Sequence, residues 1–128
     1  MPVNRINSFH LMSAAITSAD ANTTKPVLDI PAKTYVKKVW IVVDVLFAGG
    51  TPSIDIGDGT DVDGWIDSTD ITEATVGAYS GDGGDAVWSF FGKYYQTADT
   101  IDAVIATGLT SGNAFVIAEC FDLSGLAT

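Results

Sequence analysis

The sequence predicts an all-β fold: a single-domain β-sandwich, jelly-roll-like, with about eight antiparallel strands and long acidic, glycine-rich loops. Three observations carry this reading. Apolar residues alternate with period two between Thr34 and Ala48. Thr, Val, Ile and aromatic residues fill the candidate strands, while Gly and Asp fill the gaps between them. No window carries a helical apolar stripe bounded by caps. With 128 residues, 47% of them hydrophobic and 17% charged, the chain suits one packed core and is too apolar for intrinsic disorder. No apolar run approaches the roughly 18 residues of a membrane-spanning helix, and the first seven residues lack the apolar stretch of a secretory signal. No membrane partner is expected.

Residues 1 to 8 are polar and have no pairing partner nearby in sequence, so they read as an extended arm, with the sandwich domain spanning 9 to 128. The first strands are expected at Phe9 to Thr17 and Val27 to Ile30. The strongest follows from Thr34 to Ala48, where Tyr35, Val39, Ile41, Val43, Val45 and Phe47 take alternate positions. Its other face holds Val36, Lys38, Trp40, Val42, Asp44 and Leu46, which is too apolar to be left in water. Either the strand is packed on both sides, or the outer face meets another subunit through Val36, Trp40, Val42 and Leu46.

The segment Phe47-Ala48-Gly49-Gly50-Thr51-Pro52 has glycines that tolerate positive φ and a proline that blocks further pairing, so a hairpin to a strand at Ser53 to Ile56 is expected. Residues 57 to 86 are rich in Gly and acids and read as long loops, with a short strand at Gly64 to Asp67. Strands at Val87 to Tyr95, Thr100 to Thr107 and Asn113 to Asp122 complete the set, the last two joined as a terminal hairpin through Gly108 to Gly112. The expected core comprises Val39, Ile41, Val43, Val45, Phe47, Ile101, Ile105, Phe115 and Ile117. Trp88 and Phe90 are expected to point inward, with Trp65 closing one end of the sandwich. The competing reading makes Trp65, Tyr79, Trp88, Tyr94 and Tyr95 a platform on which sugars stack.

Six Lys and Arg against sixteen Asp and Glu leave a formal charge of -10. Five bases and three acids in residues 1 to 48 give +2, and one base with thirteen acids in the remainder gives -12. Nucleic acid is not an expected partner, because phosphate binding needs a basic face. The basic third instead offers Arg5, Lys25, Lys33, Lys37 and Lys38 to an acidic partner surface. Cys120 is the sole cysteine and His10 the sole histidine, too few for a disulfide or a structural zinc site. Asp58, Asp61 and Asp63 sit close together in a glycine-rich loop and form either a calcium site or a solvated turn. The loop fails as an EF-hand, since Gly59 falls at the first ligand position and Asp70 where a bidentate Glu is usual. No nucleophile elbow or phosphate loop occurs and no carboxylate pair is singled out, so no catalytic residue is assigned.

Taken together, Ile30-Pro31-Ala32, the strand Val39 to Val43, Phe47-Ala48-Gly49-Gly50, Ile56-Gly57-Asp58-Gly59-Thr60-Asp61, Gly64, and Thr110 to Val116 form a pattern across residues 26 to 122. It resembles the small jelly-roll decoration, or cement, proteins of bacteriophage capsids. That resemblance implies a non-enzymatic viral protein, a homotrimer on the outer capsid surface of the virion. Its partner would be the major capsid protein, whose neighbouring subunits it braces. The alternative is a carbohydrate-binding or receptor-binding β-sandwich module of a phage tail or fibre.

Overall fold

The computed structural model describes residues 6–125, which form nine strands in two antiparallel sheets. In the larger sheet, β1 (Asn7–Met12) and β2 (Ile16–Thr17) both pair with one edge of β9 (Ser111–Asp122). The other edge of β9 pairs with β4 (Thr34–Ala48), whose far edge is lined by β6 (Gly77–Ser80) and β7 (Lys93–Tyr95). The smaller sheet has the order β3 (Thr23–Ile30), β8 (Asp99–Ile105), β5 (Ile54–Gly57), and a single bridge from Ile66 extends it beyond Ile56. Connections pass repeatedly from one sheet to the other, and the first strand lies beside the last. This is a single-domain β-sandwich.

Both expected hairpins are corrected by this topology. The turn after Ala48 leaves the larger sheet and enters the smaller, and the turn before Ser111 crosses back. Turn residues reverse a chain without choosing its partner; β4 has β9 on one edge and β6 and β7 on the other, so β5 must pair elsewhere. The two crossings brace each other, with the Thr110 amide donating to the Ala48 carbonyl at 2.8 Å. Gly49 has φ of 88° there, and a Cβ on it would lie 2.6 Å from the Gly108 carbonyl oxygen, so only glycine fits.

The core lies between the sheets. From the larger sheet come Val36, Val39, Ile41, Val43 and Phe47 of β4 with Ala114, Val116, Ala118 and Cys120 of β9. Leu28, Ile30, Ile54, Ile56, Ile101, Ala103 and Ile105 answer from the smaller sheet. Small residues on β9 thus face an isoleucine-rich layer, a pairing of small with large that fills space without voids.

Three expectations about facing are overturned. Val36 is core rather than outer face, because a bulge between Val36 and Lys38 shifts the alternation by one residue. Val45 is 50% exposed, since a second irregularity between Val43 and Val45 turns it outward. On β9 the inward phase belongs to Val116 and its neighbours, leaving Phe115 and Ile117 half-buried on the outer side. Beyond these, Val87 to Gly92 forms turns rather than strand, and Phe90 is exposed while Trp88 packs against the core. The Gly64 to Asp67 strand reduces to the Ile66 bridge, and β6 is an unexpected strand inside the acidic loop region. Asn7 and Ser8, assigned to the arm, open β1; residues 1 to 5 lie outside the described residues.

Candidate functional site

Pairing register arranges the outer face of the larger sheet into rows. Tyr94, Tyr35, Phe121 and Ser8 form one. Lys38, Glu119 and His10 form the next, then Ser80, Trp40, Ile117 and Met12, then Ala78, Val42 and Phe115. Tyr35 and Phe121 stack with ring centroids 6.0 Å apart. One charged row therefore crosses a face whose other rows are aromatic and aliphatic apart from Ser8 and Ser80. Trp40 and Val42 stand on it and Leu46 is exposed toward its end, so three of the four expected interface residues face outward and Val36 does not. Phe115, Ile117, Phe121 and Met12 belong to the surface as well; the signal for the first three was that both faces of the Asn113 to Asp122 strand are apolar.

The smaller sheet has the opposite character. Its outer positions carry Thr24, Asp29, Thr100, Asp102, Val104 and Asp55 in register. One side of the sandwich is thus acidic and water-facing, and the other is an uncovered apolar sheet of the kind that marks an interaction surface. Among the described residues no cleft opens.

The aromatic platform of the competing reading does not form. Trp65 and Tyr95 are buried, Tyr79 packs inward, and of the five only Tyr94 is strongly exposed. Trp65, Tyr95 and Trp88 instead enclose an ion pair between Lys93 and Asp58, with Nζ to Oδ2 at 2.6 Å and the Asp58 side chain fully buried. Tyr95 Oη donates to the same oxygen at 2.8 Å while accepting from Trp65 Nε1 at 3.0 Å. The Thr60 and Asp61 amides donate to Oδ1 at 2.8 and 3.3 Å. Burial pushes the Asp58 pKa up, but the Lys93 hydrogen bond and the other donors outweigh it and hold the group below the ordinary range. Lys93 also lies 4.0 Å from the Trp88 ring centroid, a cation–π contact.

Asp58 is therefore committed to Lys93, and the expected trio of Asp58, Asp61 and Asp63 does not converge. Spatial grouping joins Asp63 to Asp55 and Asp67, whose carboxylate oxygens lie within 4.8 Å of one another. A hydrogen bond with Asp61, then burial, then repulsion from Asp61, Asp55 and Asp67 raise the Asp63 pKa to about 6. Asp55 escaped the sequence reading because it sits on β5, outside the loop.

The basic residues are dispersed. Lys25 pairs with Asp20 at 3.1 Å near the start of β3, while Lys33 follows the end of that strand with a left-handed φ of 57°. Lys37 is exposed at the β4 bulge, Lys38 Nζ lies 5.9 Å from the Trp40 ring centroid, and Arg5 lies outside the described residues. Cys120 is buried, and burial first, then Glu119, raises its pKa to about 11, so it stays a thiol.

No family model and no curated protein sequence matches the chain. Solved structures do. A chain of the cyanophage Pam1 capsid asymmetric unit superposes with TM-score 0.65 at 13% identity, covering 95% of this chain and 91% of that one. A chain of the acidic stable capsid structure of Helicobacter pylori bacteriophage KHP30 gives TM-score 0.65 at 12% identity, covering 96% and 97%. At these identities what is shared is the fold, over nearly the whole of each chain.

Proposed function

We propose that this protein is a non-enzymatic bacteriophage virion protein that decorates the outer capsid surface as a homo-oligomer and braces neighbouring coat subunits. The observation that carries the reading is an uncovered apolar sheet face on a fold shared, end to end, with chains of two phage capsids. A brace needs a rigid body and large contact surfaces rather than a cleft, and the sandwich offers both. Lys33 and Lys37, exposed near the start of β4, supply the charge directed at an acidic coat surface, and Arg5 belongs to the same basic third of the sequence. Three-fold closure is taken from the family resemblance, since two-fold closure is the general default.

Co-sedimentation with undecorated capsids tests docking. The expected result is saturable binding that weakens with salt and raises the temperature at which the capsids disrupt. A protein that stays in the supernatant at every salt concentration and is retained by an immobilised host polysaccharide overturns the reading in favour of a carbohydrate-binding module.

A further inference from the structure

Beside the aromatic row, the chain from Gly81 to Gly92 makes a loop whose display of apolar groups is unusual for a single copy in water. Phe90 is 71% exposed and Phe91 84% exposed, with Val87 next to them also exposed. The loop is nevertheless firmly held. Ala86 and Ser89 are buried, Ser89 Oγ accepts from the Gly83 amide at 2.8 Å, and the Trp88 amide donates to the Gly64 carbonyl at 2.9 Å. Trp88 lies so close on Gly64 that a Cβ there would be 2.3 Å from the indole. At the far end Tyr35 Oη donates to the Phe91 carbonyl, tying the loop to the outer face of the larger sheet. Two phenyl groups are thus presented by a pre-ordered support, the arrangement expected of binding anchors that lose little entropy on docking.

We propose that the Phe90–Phe91 loop of one copy seats on the apolar outer face of the larger sheet of a second copy, head to tail. One observation, the complementarity of charge, selects this occupant. Asp82 and Asp85 flank the knob and have no ion pair among the described residues, while Lys38 stands on the face, likewise unpaired among them. A head-to-tail contact repeated around a ring covers the knob and the face of every copy. Trp40, Ile117 and Met12 form the row that receives the knob. The inference rests on the self-association within the proposed function and names its contact.

Size exclusion with light scattering on the full chain gives the test. The wild type is expected as an oligomer, and Phe90→Ser with Phe91→Ser as a monomer of unchanged far-ultraviolet circular dichroism, with self-association weakened about tenfold or more. Asp85→Lys and Lys38→Glu should each loosen the assembly, and together restore it. A copy lacking the knob, mixed with a Met12→Glu/Lys38→Glu copy lacking the face, should form a one-to-one heterodimer although neither associates alone. A double phenylalanine variant that still assembles like the wild type, or a mixture that gives no heterodimer, overturns the head-to-tail contact alone. A monomeric wild type removes self-association from the proposed function as well.

Discussion

Asp58 closes the loop after β5 by drawing Lys93, Tyr95 and two backbone amides onto one carboxylate. Removing one partner of a buried pair strands the other, so Asp58→Ala should cost about 3 to 5 kcal/mol and lower the thermal midpoint accordingly. Lys93→Met, which keeps the aliphatic stem against Trp88, should cost less, because Tyr95 and the amides still satisfy the carboxylate. Neighbouring carboxylates act in the opposite sense with pH. Asp63, raised to about 6 from the ordinary aspartate range, holds a proton that the unfolded chain has already released in that window, so its contribution to stability falls as pH rises through it. Asp70, raised by burial and then by Asp82, adds to the same trend. Asp58 and Asp20, lowered by their partners, contribute stability that is present above their unfolded values and lost in stronger acid. Thermal melts should therefore show a midpoint that climbs from about pH 7 to about pH 5 and drops below about pH 3.5. Asp63→Asn should flatten the first limb and leave the second.

At the level of elements, β9 decides both what the protein buries and what it shows. Val116→Ala should cost about 2 kcal/mol by opening the core, whereas Ile117→Ala on the opposite face should change monomer stability less and self-association more; chemical denaturation and light scattering on the two variants separate the effects. Their roles could not be assigned from sequence, because Phe115, Ile117 and Phe121 alternate with Ala114, Val116, Ala118 and Cys120, and a strand apolar on both sides carries no phase. The extent of β4 was legible to the residue, since its dense β-branched run has sharp polar and glycine boundaries. The facing of its ends was not, because a bulge inserts a residue without changing hydropathy. The Asp58 to Lys93 pair spans 35 positions and has no local signature, and the hydrophobic residues of the 87 to 91 segment read as strand because composition alone does not report their exposure.

On the scale of the whole molecule, the sandwich is two-sided, with an acidic sheet toward solvent and an apolar sheet that requires cover. Each face tolerates different chemistry. Asp102→Lys on the acidic side should leave assembly intact, while Ile117→Glu on the other should abolish it; native mass spectrometry distinguishes the two. The apolar surface is also completed late. Asn7 pairs with Asp122, and β9 supplies Phe115, Ile117 and Phe121, so β1 has no partner in this sheet until β9 has been synthesised. A chain terminated before Ser111 lacks the central strand and with it the Phe115, Ile117 and Phe121 part of the apolar face. Such a copy lacks the surface on which the proposed self-association rests, so synthesis itself acts as a checkpoint on which copies can associate.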